Sequence, residues 1–246
     1  VITFTPAALL TAWERCLPLS PVRRAVTLLE LAEPSVPEET ITALPIGSRD
    51  RELLRLRVSA FGAEITGLVA CPACAQTVEI AADANTIIAS VPHAAPDSEE
   101  LTFDRDGYRV SFRLPTSEDL IALGAAAAQT EPERFLLTRC LRWVECAGSP
   151  VAASELPEEI IELIASSMNE HDPLADIELA CVCPECGHSW AAPLDVVAFL
   201  WAELSDYASR LLEDIHVLAS AYGWREGDIL ALTPTRRQAY LELIGG

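Results

Sequence analysis

The chain has 246 residues, half of them apolar, with 17 basic side chains against 37 acidic ones and a formal net charge of −20. That length supports a sizeable core in one large domain or two small ones, and the apolar content excludes a disordered chain. No run of about 18 uncharged apolar residues occurs, which excludes a membrane-spanning helix, and the acid excess disfavours nucleic acid, whose phosphates need a basic patch.

Every basic side chain is Arg; no Lys occurs. Arg49, Arg51, Arg55 and Arg57 cluster, but in a strongly acidic setting that suits solubility or docking onto a basic partner. The opening "VITFTPAALLTAWERC" lacks the basic flank and long apolar stretch of a secretory signal, so cytoplasmic synthesis is expected.

In chain order, two short helices are expected at 6–16 and 21–32, the second capped by Ser20 with Pro21 in its first position. A Pro-rich linker follows. Helix resumes after Ser48, read as its N-cap, and ends at Gly62. "EITGLVACPACAQTVEIAAD" reads as strand, tight turn and strand, and "SVPHAAPDSEE" as a polar loop. "LTFDRDGYRVSFRLP" is a hairpin turning at Asp106-Gly107 with Tyr108, Val110 and Phe112 alternating. Helices near 117–128, 132–142 and 156–170 come next. "DIELACVCPECGHSWAAP" then repeats the strand, cysteine turn and strand layout.

A long helix is expected over 194–222, started by Pro193 and closed by Gly223. Val197, Trp201, Leu204, Ala208, Leu211, Ile215, Leu218 and Tyr222 form an apolar seam, with Glu203, Asp206, Arg210 and Asp214 off it. The seam fits packing against the protein's own short helices better than against a partner helix. Two short helices finish the chain, the second capped by Thr233. Trp224 with Arg236, Arg237 and Tyr240 combines residue types enriched at docking surfaces. The fold class is α+β, with helical N- and C-terminal parts around β-hairpins that carry a split zinc-ribbon-like site. The expected parts are 1–44, a helical arm and linker; 45–92, a helix and the first cysteine hairpin; 93–173, an inserted hairpin and helical region; 174–193, the second cysteine hairpin; and 194–246, a helical region.

The two CPxC turns carry the chemistry. A CxxC turn sets two thiolates on one side of an ion, and two turns complete the tetrahedron that Zn²⁺ favours. Cys71, Cys74, Cys183 and Cys186 are therefore the candidate ligands of one structural Zn²⁺ per chain. The alternatives are reduced buried cysteines or disulfides. Cys181 reads as core, with a substitute-ligand role left open; Cys16, Cys140 and Cys146 read as small core residues, and His188 as hairpin surface. Four thiolates close the shell against water, so the metal is structural rather than catalytic.

No phosphate-binding Gly loop, nucleophile elbow or HExxH motif occurs, and the deaminase signature is missing its His and Glu. No catalytic residue and no organic cofactor is expected. His93, His171 and His216 are scattered, with His216 expected to be packed or hydrogen-bonded. Glu170, His171, Asp172 and Asp176 read as a solvated turn, and Glu99 and Glu100 as loop surface.

"LPIGSRDRELLRLRVSAFG", "VACPACAQTVEI", "FRLPTSEDL", "ADIELACVCPECGHSWAAPLDVVAFLWAEL" and "LLEDIHVLASAYGWREGDILALTPTRRQAYLELI" resemble the baseplate proteins of tailed phages and phage-like contractile injection systems, related to the T-even phage baseplate family. The resemblance covers Leu44 to Ile244 and is most specific in the last of these segments; the first 40 residues lie outside it. It implies a non-enzymatic structural or assembly subunit of a contractile-tail baseplate, with the four knuckle cysteines as its metal shell. It also implies synthesis in the bacterial cytoplasm, and partners among baseplate, hub or tail subunits, with self-association open. The reading it competes with is a cytosolic zinc-ribbon adaptor or nucleic-acid-associated module.

Overall fold

The computed structural model describes residues 5–91, 100–126 and 131–245. Helices α1 (Pro6–Cys16) and α2 (Pro21–Ala32) have the expected bounds. Thr5 caps α1 by accepting the Ala8 N–H at 3.2 Å, whereas the Ser20 hydroxyl makes no cap bond. The fixed φ of Pro21 suits the start of α2.

The expected linker contains a short helix, α3 (Glu38–Thr42), and α4 (Ile46–Phe61) starts ahead of Ser48, not after it. Its cap comes from far away: the Asp172 carboxylate accepts the Gly47 N–H at 2.8 Å. A cap 125 residues distant leaves no local signal. Asp172 is accordingly buried, which corrects the solvated-turn reading at that position.

Strands β1 (Glu64–Ala70) and β2 (Thr77–Asp83) form the first cysteine hairpin, and α5 (Ala84–Ser90), which the sequence reading lacked, follows directly. Asp83 caps α5 by accepting the Thr86 N–H at 2.8 Å. Strands β3 (Leu101–Arg105) and β4 (Tyr108–Phe112) turn at Asp106 and Gly107, both at positive φ as a tight hairpin requires. Helices α6 (Ser117–Ala126) and α7 (Pro132–Cys140) follow. The chain then leaves helix at Leu141 for β5 (Leu141–Cys146) and β6 (Ser149–Pro150), where helix had been expected to 142. The free edge of β4 draws this segment into a sheet of order β3-β4-β5-β6.

Helix α8 (Glu158–His171) leads to the second cysteine hairpin, β7 (Glu178–Val182) and β8 (Ser189–Pro193). Pro193 is the last strand residue; α9 (Val196–Tyr222) begins later, capped by Asp195, which accepts the Ala198 N–H at 2.9 Å. Helices α10 (Glu226–Leu230) and α11 (Pro234–Gly245) end the chain.

Buried side chains of α1, α2, α4 and the first half of α9 make the main core, including Cys16, Val26, Leu53, Leu54 and Leu204. A second core lies between the four-stranded sheet and α8, around Val110, Phe112, Val144, Ile161 and Ile164. A third joins the second half of α9 to α10 through Leu211, Leu218 and Ile229. The seam of α9 is thus spent inside the chain. Trp201 lies half-buried under the Arg24 guanidinium at 4.1 Å, and Tyr222, at the far end, stays partly exposed.

The arginines of α4 turn inward. Arg49, Arg51 and Arg57 are buried, and only Arg55 is exposed, paired with Glu52. Arg57 binds both carboxylate oxygens of Glu203 on α9, at 2.9 and 2.7 Å, and the carbonyls of Gly62 and Glu64. Arg51 donates to the carbonyls of Ile88 and Val91, and Arg49 to Asp50 and Ser117. Burial outweighs Arg49 at Asp50 and pushes its carboxyl up to about 6. The stability Asp50 contributes is therefore greatest at low pH and is lost as pH rises through about 6.

Asp119 behaves in the opposite sense. Its fully buried carboxylate binds Arg113, Arg139 and the N–H and hydroxyl of Thr116, joining the segment after β4 to α6 and α7. Burial raises its pKa, but these partners together hold it well below the usual carboxylate range. Glu100, expected as plain loop surface, accepts from the Ser111 hydroxyl and the Trp143 N–H. His93 and Glu99 lie outside the described residues.

A Cβ on Gly47 would lie 2.0 Å from an Asp172 oxygen and 2.8 Å from the Ala175 nitrogen. Gly47→Ala is expected to lower the urea-unfolding free energy by about 1–3 kcal/mol. Gly124→Ala, which meets nothing within 4 Å, leaves it unchanged or slightly raised. Asp119→Asn is expected to cost up to about 3–5 kcal/mol at neutral pH, and this difference from wild type should shrink as pH falls below about 4.

Candidate metal centre

Each cysteine turn is built by the same pair of backbone hydrogen bonds. In the first, Ala75 N–H donates to Cys71 C=O and Cys71 N–H to Gln76 C=O, both at 2.9 Å. In the second, Gly187 N–H donates to Cys183 C=O and Cys183 N–H to His188 C=O, again at 2.9 Å. Ala75 and Gly187 occupy equivalent places at φ 60° and 71°, a left-handed conformation that Gly adopts freely and Ala only at a cost. The hairpin strands aim both turns at one point.

There the sulfurs of Cys71, Cys74, Cys183 and Cys186 lie within 4.8 Å of one another. Cys71 and Cys186 are 3.7 Å apart, and Cys74 and Cys183 3.6 Å. Zn–S bonds of about 2.3 Å in a tetrahedron set sulfurs about 3.8 Å apart, so the cluster has the size of a Zn²⁺ shell. Cys71 and Cys183 are buried beside Val69, Val78 and Trp190; Cys74 and Cys186 are exposed.

The electrostatics favour a cation. Backbone N–H groups of Cys186 and Glu185 draw the Cys183 thiol down to about 7. The Gln76 N–H acts likewise on Cys74, but the neighbouring sulfurs outweigh it and push that thiol up to about 12. Four sulfurs this close cannot all ionise unaided, because each thiolate repels the next; a divalent ion removes that obstacle. Among the described residues this is the one group of three or more His, Cys, Asp or Glu with ligand atoms so close.

The remaining candidates lie elsewhere. Cys181 is buried in β7, its thiol donating to the Leu179 carbonyl at 3.3 Å, outside the cluster. Cys16 and Cys140 are buried, with thiols pushed up to about 11 by burial, and Cys146 is half-buried. His188 is exposed with its ring parallel to that of Trp190. His216, expected to be packed or hydrogen-bonded, is exposed on α9, so it is not packed. The aromatic and Arg group read as a docking surface is largely spent internally. Trp224 stacks on Tyr222 and meets Tyr240 edge-on, and Arg237 is buried against Asp214 at 3.0 Å, which fastens α11 to α9. Arg237 was legible only as a charge, since its partner lies 23 residues earlier on another helix.

The family model for the T4 bacteriophage base plate protein matches residues 23–201. The chain belongs to this family. The match runs from within α2 to Trp201 in α9 and so takes in both cysteine hairpins. It includes residues 23–43, outside the resemblance read from the sequence, and stops short of the C-terminal segment on which that resemblance leaned most. No curated protein and no solved structure matches the chain. Membership of this family makes the chain a structural baseplate protein, with other baseplate subunits as its partners. No helix among the described residues is long and apolar enough to cross a membrane.

The ligand set can be tested with Co²⁺, whose tetrahedral thiolate complexes are coloured. Substituting Ser at Cys71, Cys74, Cys183 or Cys186 is expected to abolish or shift the thiolate-to-cobalt absorption, while Cys181→Ala and His188→Ala leave it unchanged.

Proposed function

We propose that this baseplate protein is a non-enzymatic subunit or assembly factor, and that one Zn²⁺ on Cys71, Cys74, Cys183 and Cys186 ties its two cysteine hairpins together. The observation that carries the reading is the convergence of four sulfurs from segments more than a hundred residues apart, at the spacing of a tetrahedral shell. The metal does no chemistry in this reading: four thiolates leave no open position for water or substrate. It supplies folding free energy, of the order of 10–16 kcal/mol in apparent terms for structural Zn²⁺ in finger peptides. The five-part division of the chain belongs to the same proposal. It is supported by the separate core of the sheet and α8 within the insertion.

The protein acts through protein contacts in, or during assembly of, a phage or injection-system baseplate, after synthesis in the bacterial cytoplasm. The inward turn of Arg49, Arg51 and Arg57 removes the clearest candidate for a phosphate-binding patch and weighs against a nucleic-acid module.

Elemental mass spectrometry of purified protein is expected to give one zinc per chain. The Cys71→Ser, Cys183→Ser double variant should lose the metal together with cooperative unfolding; a metal-free wild type that unfolds normally would sink the zinc reading. Deleting the gene should leave particles without complete baseplates. Quantitative mass spectrometry of purified particles then decides between a resident subunit and a transient assembly factor.

A further inference from the structure

Each exposed cysteine of the cluster has its sulfur next to that of a buried cysteine from the other hairpin. Exposed Cys74 lies 3.6 Å from Cys183, which is 1% exposed, and exposed Cys186 lies 3.7 Å from Cys71, which is 2% exposed. An oxidant reaches an accessible sulfur first, and a second sulfur in contact can resolve the oxidised product into a disulfide. No other cysteine among the described residues has this arrangement. Cys16 and Cys140 are buried, and Cys181 is bonded to a carbonyl.

We propose that the knuckle cysteines are also an oxidation site, at which metal binding is exchanged for two disulfides between the hairpins, Cys71–Cys186 and Cys74–Cys183. This rests on the metal-bound reading of the site. The oxidant is a hydroperoxide such as hydrogen peroxide. The sulfur of Cys74 or Cys186 attacks one peroxide oxygen: an S–O bond forms, the O–O bond breaks, and the departing hydroxide takes up a proton to leave as water. The facing sulfur, Cys183 or Cys71, then attacks the sulfenic sulfur. The S–S bond forms, the S–O bond breaks, and a second water leaves with another proton. Each disulfide thus passes two electrons from a pair of thiolates to one peroxide, and two peroxides consume all four thiolates and free the ion they held.

The pairing decides what this does to the protein. Disulfides across the hairpins would keep the two segments joined after the metal is gone, whereas disulfides within each CPxC turn would leave each hairpin closed on itself and the tie between them lost. A covalent tie suits a subunit carried from a reducing cell interior into oxidising surroundings, as the baseplate of a released particle is.

The test treats the full-length zinc-loaded protein with increasing hydrogen peroxide. Released zinc is followed with a chromogenic chelator, and disulfides are mapped by mass spectrometry of unreduced peptides cut after Glu, which separates Cys183 from Cys186, with backbone fragmentation between Cys71 and Cys74 to assign the partner of each. The expected result is release of one zinc per two peroxides, with Cys71–Cys186 and Cys74–Cys183 as the major linked peptides and recovery on reduction with added Zn²⁺. Disulfides within the turns, or irreversible sulfinic acids in place of disulfides, would overturn the proposal. Purified protein without zinc would instead defeat the metal reading, and the disulfide map on that same protein would still decide the pairing.

Discussion

The structure depends on holding two hairpins side by side whose cysteines lie 109 and 115 residues apart in the chain. Closing a flexible loop of that length costs about 4 kcal/mol of chain entropy beyond a constant. The apolar surface that the two hairpins share with each other is small. Their shared core is Cys71, Val78 and Cys183, flanked by Val69 and Trp190. Burying these few side chains, at about 1.5–3 kcal/mol for a fully buried Val, is only comparable to the entropy, so the contact gains most from a stronger bond at its centre. Four thiols at tetrahedral spacing are suited to supply one.

The knot does not act alone. Asp172 leaves the end of α8 just before the second hairpin and caps α4, which leads into the first. Arg57 on α4 grips the start of β1 and, through Glu203, the helix that follows the second hairpin. Both contacts join the segment before one hairpin to a segment beside the other, so they serve the closure that the cysteines complete. The insertion between the hairpins can then fold on its own sheet and helix, with Asp119 locking the end of the β4 segment to α6 and α7 at its base.

The buried charges nearly cancel. Arg49, Arg51 and Arg57 are matched by Asp50, Asp119 and Asp172, so the exterior keeps the strongly acidic balance of a chain of net charge −20. Such a surface repels nucleic acid and copies of itself at low salt and favours partners with basic faces. The aliphatic seam of α9, meanwhile, is covered by the chain's own helices. Contacts with other baseplate subunits must therefore be made by something other than that seam.

The sequence by itself determined the local elements: α1, α2, the cysteine hairpins, the Asp106-Gly107 turn and the long α9 with its buried seam. Each is encoded by neighbours a few residues apart, through a cap, a turn pair or a 3.6-residue period. The matched CPxC turns marked the four clustered cysteines for the same reason, since the chemistry of one turn is written within four residues. What tertiary structure alone decided were features whose partners are remote: the start of α4 at a cap supplied by Asp172, and the conversion of 141–146 to strand by the edge of β4. The burial of arginines that read as surface charge is another. A guanidinium is stable inside only where several acceptors converge, and Glu203, Gly62 and Glu64 converge on Arg57 only once the chain is folded.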